Sequence, residues 1–117
     1  MIEIFGIGID IVNIQKFKKK PYEKNQSFYK RIFSKSEIEY CLKFKNPYER
    51  FAGKFAIKEA VIKSIQTKIG FSQIEILYNK SKPVIKLKRV SKKYEFIISV
   101  SHESDFAIAV VLSENIN

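Results

Sequence analysis

The stretch NPYERFAGKFAIKEAVIKSIQTKIG, residues 46–70, decides how the rest of the chain is arranged. Asn46 can cap a helix, Pro47 suits its first position, and Glu49 falls three residues after the cap. Phe51, Ala52, Phe55, Ala56, Ile57, Ala60, Val61, Ile62 and Ile65 then place apolar groups almost all round, so the helix is expected to be buried. It nevertheless carries Lys54, Lys58, Glu59 and Lys63. Buried charges are costly unless paired or bound to something, and Lys54 and Lys58, one turn apart, repel each other. Two readings stay open. The charges form half of an anion-and-metal site, or they lie on a solvated edge where Glu59 pairs with Lys63 at the favourable i, i+4 spacing.

The chain has 117 residues, enough for one domain, 1–117, with a real core. Lys and Arg number 22 against 12 acids, a net charge of +10, which calls for an anionic partner. Cys41 is the only cysteine, so a disulfide framework or thiolate metal cluster is excluded. No basic-then-apolar leader and no span of membrane-crossing length appear, so a soluble, cytoplasmic protein is expected, without membrane association.

The first nine residues, MIEIFGIGI, read as a strand in which Gly6 and Gly8 mark a bulge or the close approach of another backbone. Asp10 is expected at that strand's end, as a cation ligand or a helix cap. Residues Lys16 to Lys24 carry five lysines and read as a solvated run or as a docking surface for an acidic partner. Phe28, Ile32 and Phe33 suggest a short helix with Lys30 and Arg31 outside. Ser34 and Glu37 form a capping box for a helix reaching Lys45, with Cys41 in its core stripe. Gly70 is expected to stop the long helix or make a tight turn. Strands follow at 73–78, 84–87 (entered through Pro83), 96–100 and 106–112, joined by short polar turns. The fold class is therefore α+β, an antiparallel sheet packed against a long central helix. His102, the only histidine, is expected in the turn between the last two strands; a zinc site and a Walker or Rossmann phosphate loop are excluded.

GIGIDIV at residues 6–12, FAGKFAIKEAVIK at 51–63 and SVSHESDFAIAVVL at 99–112 together resemble the three signatures of the holo-acyl-carrier-protein synthase family of 4′-phosphopantetheinyl transferases. They stand in that family's order and spacing, and RIFSKSEIEYC at 31–41 resembles its connecting region. The resemblance implies transfer of the 4′-phosphopantetheine arm of coenzyme A to a serine of apo acyl carrier protein, with adenosine 3′,5′-bisphosphate as the other product. It implies a homotrimer with active sites between subunits. By motif, Asp10 and Glu59 are ligands of magnesium (or manganese), Glu59 assists removal of the serine proton, and Lys63 neutralises phosphate charge. Lys54, Lys58, Lys63, His102 and Pro83 border coenzyme A, with His102 on the face contributed by a neighbouring subunit. The acidic carrier protein would dock on the Lys16–Lys24 region. The segment Gln66 to Gly70 departs from the family's glycine-rich turn, and Lys68 would supply charge there.

A small basic nucleic-acid-binding module is the competing reading of size, charge and aromatic content. It gives no reason for Asp10 and Glu59 to sit inside apolar segments. The transferase reading, which has no nucleic-acid partner, requires a divalent cation with coenzyme A.

Overall fold

The computed structural model describes residues 2–116. Its elements are β1 (Phe5–Asn13), α1 (Gln15–Lys18), α2 (Gln26–Ile32), α3 (Lys35–Leu42), α4 (Pro47–Ser64), β2 (Ile74–Asn79), β3 (Lys82–Leu87), β4 (Tyr94–Glu103) and β5 (Phe106–Asn115). β1, β5 and β4 form an antiparallel sheet in that order, and β2 pairs with β3 in a separate hairpin. The α+β architecture follows the reading of the sequence.

α4 lies across the three-stranded sheet, and the two glycines of β1 make this possible. A Cβ on Gly8 would stand 1.9 Å from the Ala60 carbonyl oxygen, and one on Gly6 would overlap the Ser64 carbonyl. Backbone therefore meets backbone, as the spacing of Gly6 and Gly8 suggested. Ala107, Ala109 and Val111 complete the floor under the helix, all fully buried. On the other side of α4, Phe17, Tyr29, Phe33 and Phe51 form a ring cluster with neighbouring centroids 4.7–6.2 Å apart.

Several boundaries differ from expectation. β1 begins at Phe5, where its pairing with β5 starts at Phe5↔Glu114 and runs to Asn13↔Phe106. Ile2–Ile4 make a 3-10 turn instead, and Met1 lies outside the described residues. Asp10 consequently sits inside the strand, opposite Ala109, and caps no helix. The capping box of α3 forms: Ser34 Oγ accepts from Glu37 N at 3.2 Å and Glu37 Oε1 accepts from Ser34 N at 2.8 Å. That helix ends at Leu42, short of Lys45. Asn46 makes no side-chain cap; Pro47 at the first turn starts α4 without one. α4 stops at Ser64, so Gly70 is not its stop signal, and Gly70 itself has an extended backbone, φ −106°. β4 runs on to Glu103, which places His102 in a strand opposite Ala107 and moves the turn to Ser104–Asp105.

The sheet face away from α4 is left apolar and open. Ile7, Ile9 and Ile11 are 69%, 60% and 60% exposed, and Ile97 is 70% exposed. Cross-strand pairing aligns Ile7, Leu112 and Ile97 in one row, with Ile9 and Val110 in the next.

Candidate active site

Asp10 faces the helix because it is two and four residues beyond Gly8 and Gly6 on the same strand face. Lys63 reaches it from the last turn of α4. Its ammonium donates to Asp10 Oδ1 at 3.1 Å and to the Ile9 carbonyl at 3.0 Å. The Asp10 side chain is 14% exposed and that of Lys63 53%, so the lysine end of the pair is open and within reach of a ligand. Glu59, half-buried one turn before Lys63, makes no ion pair among the described residues. The i, i+4 pairing of Glu59 with Lys63 is thus not the arrangement found: the lysine goes to the strand carboxylate.

The second cluster is basic. A cleft of about 380 Å³ is lined by Arg50, Gly53, Lys54, Tyr78, Pro83 and His102, among others. His102 Nε2 donates to the Glu49 carbonyl at 3.3 Å, and a Cβ on Gly53 would stand 3.1 Å from that nitrogen, so the glycine makes room for the imidazole. Arg50 lies over Phe44 at 4.0 Å. Lys54 is only 2% exposed, and burial pulls its pKa below the ordinary lysine value. Arg50, one turn before Lys54, was missed in the sequence although its i, i+4 spacing to Lys54 was visible. Tyr40, Phe44 and Tyr78 carried no signal, since nothing local in the sequence says that α3 and the end of β2 meet.

Lys58 is placed elsewhere. Its ammonium bonds Glu37 Oε1 and the Ile32 carbonyl, each at 2.8 Å, inside the core. Glu37 also accepts from Ile76 N at 2.7 Å, tying α3, α4 and β2 together. Burial pulls the Lys58 pKa down while the Glu37 carboxylate opposes it. Glu37 thus neutralises Lys58 and relieves its repulsion with Lys54 from within the protein. Cys41 is buried and its thiol is pushed up to about 12, which removes it as a nucleophile. The divergent segment after α4 is pinned by a hydrogen bond between the Thr67 and Tyr94 hydroxyls at 2.6 Å, while Lys68 stays exposed.

The two clusters do not share a wall. Lys63 follows Lys54 by two and a half helical turns, so the two point to opposite sides of α4, about 13 Å apart along its axis. Asp10 is on one edge strand of the sheet, β1, and His102 on the other, β4.

The model of the 4′-phosphopantetheinyl transferase superfamily matches residues 6–111. Holo-[acyl-carrier-protein] synthase of Chlamydia felis is 39% identical over 120 residues, 96% of this chain and 98% of that protein. The enzyme of the same name from Clostridium kluyveri is 43% identical over 123 residues, covering 95% and 90%. Among solved structures, a holo-(acyl-carrier-protein) synthase from Bacillus anthracis in complex with CoA (3′,5′-ADP) superposes with a TM-score of 0.79 at 30% identity, covering 94% of this chain and 96% of that one. The Helicobacter pylori synthase in complex with coenzyme A gives 0.76 at 37% identity, covering 90% and 96%.

Proposed function

The chain belongs to the 4′-phosphopantetheinyl transferase superfamily, and from that premise we infer that it moves the 4′-phosphopantetheine arm of coenzyme A onto a serine of apo acyl carrier protein. The serine oxygen bonds to the phosphorus that carries the pantetheine. The bond from that phosphorus to the bridging oxygen breaks, and adenosine 3′,5′-bisphosphate leaves. We read residues 1–117 as one transferase domain acting in the cytoplasm; no helix among the described residues is long and apolar enough to cross a membrane.

The observation that carries the chemistry is the Lys63 ammonium held on Asp10 beside an ion-pair-free Glu59. Asp10 and Glu59 offer hard carboxylate oxygens suited to magnesium or manganese. No third His, Cys, Asp or Glu among the described residues joins them, which fits a cation that completes its shell with water and substrate phosphate. Such an ion, when bound, would offset the pyrophosphate charge. Lys63, half-exposed, can turn from Asp10 to a phosphate oxygen and stabilise charge there. Glu59 is the carboxylate free to take the serine proton. Lys54, His102 and Pro83 border the nucleotide, joined by Arg50. Lys58 contributes through the placement of α4.

One coenzyme A would span both clusters only if they came from different chains, since within one chain they lie on opposite flanks of α4. The open apolar sheet face supplies a surface for that association, and a closed trimer repeats the site three times. The exposed lysines 16, 18, 19, 20 and 24 suit docking of the acidic carrier protein.

Intact-mass analysis of apo acyl carrier protein incubated with the chain, coenzyme A and magnesium tests the reading. A gain of one phosphopantetheine, lost with a chelator and in Asp10→Ala or Glu59→Ala, is expected. No gain beside a transferase of known activity, together with salt-sensitive binding of generic RNA or DNA, would replace the reading by the basic binding module.

A further inference from the structure

Lys54 differs from the other two lysines of α4. Lys58 has Glu37 at 2.8 Å and Lys63 has Asp10 at 3.1 Å, whereas Lys54 has no carboxylate partner among the described residues. Its ammonium donates instead to Tyr78 Oη at 3.0 Å and lies 4.6 Å and 4.3 Å from the ring centroids of Tyr40 and Tyr78. Those rings stack, 4.6 Å apart with planes 16° from parallel. Two π faces and one neutral oxygen offset only part of the cost of a buried cation.

Exposure separates the partners. Lys54 is 2% exposed, Tyr78 39%. Both line the cleft that holds Arg50 and His102, but it is the tyrosine that a ligand meets. The lysine occupies a lone pair of the phenol oxygen, and Lys has no acceptor, so the phenol hydrogen is not taken up by the lysine; the Tyr40 hydroxyl beside it is a neutral acceptor, which a phosphate oxygen entering the cleft would displace. Donation into an oxygen also polarises its own O–H, making it a stronger donor. The anion expected in this cleft is a phosphate group of coenzyme A, an identification that rests on the transferase reading.

We propose that Tyr78 is a phosphate-binding residue of the nucleotide cleft, donating its O–H to one phosphate of coenzyme A, with Lys54 acting through it as a positioning and polarising residue and Tyr40 as the brace that fixes the ring. The buried positive charge thus reaches the ligand by one hydrogen-bond relay, Nζ–H to Oη, then Oη–H to phosphate oxygen.

Calorimetric titration of adenosine 3′,5′-bisphosphate into wild type, Tyr78→Phe, Lys54→Met and the double variant tests the relay. Tyr78→Phe keeps the stacked ring and removes only the donor; it should weaken binding about tenfold, the effect of one charge-assisted hydrogen bond. Lys54→Met should cost less, and the double variant should bind like Tyr78→Phe alone, because the lysine has nothing to act through once the hydroxyl is gone. KM for coenzyme A should rise by the same factor in Tyr78→Phe, with kcat within about twofold. Wild-type affinity in Tyr78→Phe overturns the proposal. So does a further loss above about threefold on adding Lys54→Met to Tyr78→Phe, which would mean direct contact by the lysine. If Tyr78→Phe unfolds early, Tyr40→Leu decides: unchanged affinity without the brace overturns the relay, and weakened affinity supports it. A wild-type chain that neither binds the bisphosphate nor transfers the arm refutes the transferase reading itself, an outcome distinct from normal wild-type binding with an unaffected Tyr78→Phe.

Discussion

Replacing Gly8 by alanine adds one carbon between β1 and α4. That carbon would stand 1.9 Å from the Ala60 carbonyl oxygen, 2.8 Å from the carbonyl carbon and 3.1 Å from Ser64 N. A comfortable carbon–oxygen contact needs about 3.3 Å, so strand and helix must part by roughly 1.4 Å. The obstacle is helix backbone, which cannot rotate aside as a side chain could. Overpacking typically costs 1–3 kcal/mol, and a rigid neighbour puts this case at the upper end, about 3 kcal/mol. For a chain of this length that is about 12 °C in Tm. Asp10 lies two residues farther along the same strand, so the same displacement stretches its 3.1 Å bond to Lys63 beyond ion-pair range. Thermal unfolding by circular dichroism, with transfer rates measured well below the variant's midpoint, reads both effects. Gly70→Ala is the control: no atom lies within 4 Å of its added carbon and its φ is −106°, so stability should hold or rise by a few tenths of a kcal/mol. A Gly8→Ala protein that melts within about 2 °C of wild type and keeps its activity would refute the backbone-contact reasoning.

Glu37→Leu strands the Lys58 ammonium in the core and also removes the acceptor of Ser34 N and Ile76 N; it should cost about 3–5 kcal/mol in urea unfolding, with only the ion-pair part restored by adding Lys58→Met, and no recovery at all would mean that the stranded ammonium is not a cause. Reversing Lys16, Lys18 and Lys20 to glutamate should raise KM for the carrier protein about tenfold and weaken its salt dependence while leaving KM for coenzyme A alone, and equal effects on both would remove the docking surface. Folding lowers the pKa of Lys54, so between that lowered value and the ordinary lysine value the unfolded chain holds more protons, and the lysine's contribution to stability rises with pH across the window. Below the window the full penalty is present. Lys54→Met should therefore raise the ligand-free midpoint at pH 7 and flatten the alkaline rise; a lower midpoint at pH 7 contradicts an uncompensated buried charge.

What the sequence disclosed tracks how local each determinant is. The Ser34–Glu37 box closes within four residues, and the pattern shows it directly. The burial of α4 follows from its apolar composition, and the Gly6–Gly8 pair signalled a close backbone approach without saying to what. The start of β1 differs from the expected one because the β-branched run of residues 2–4 is compatible with a strand but does not show where pairing with β5 begins. His102 lies in a strand and not in the expected turn because beyond Val100 the run SHES is polar on both faces; an exposed hairpin end has no alternation to reveal that it stays paired. The ties from Lys58 to Glu37 and from Lys54 to Tyr78 span 21 and 24 positions. Each depends on how α3 and β2 pack against α4, which no window of sequence contains.

The three lysines of α4 show how a largely buried helix tolerates its charge. Lys58 is matched by Glu37 within the core, so its charge is spent on architecture. Lys63 is matched by Asp10 at a half-exposed edge; under the proposed reading that match would be exchanged for a phosphate on the lysine and a divalent cation on the carboxylate. Lys54 is unmatched by any carboxylate and reaches the cleft through a phenol. Ease of exchange thus rises from the buried Glu37 pair outward to the ligand-facing positions. The ligand-free fold carries the cost of the unmatched cation, and a phosphate in the cleft relieves it. Nucleotide binding should accordingly stabilise the fold by more than its contacts with Arg50 and His102 alone would give, and Lys54→Met, the more stable ligand-free protein, should gain less from it.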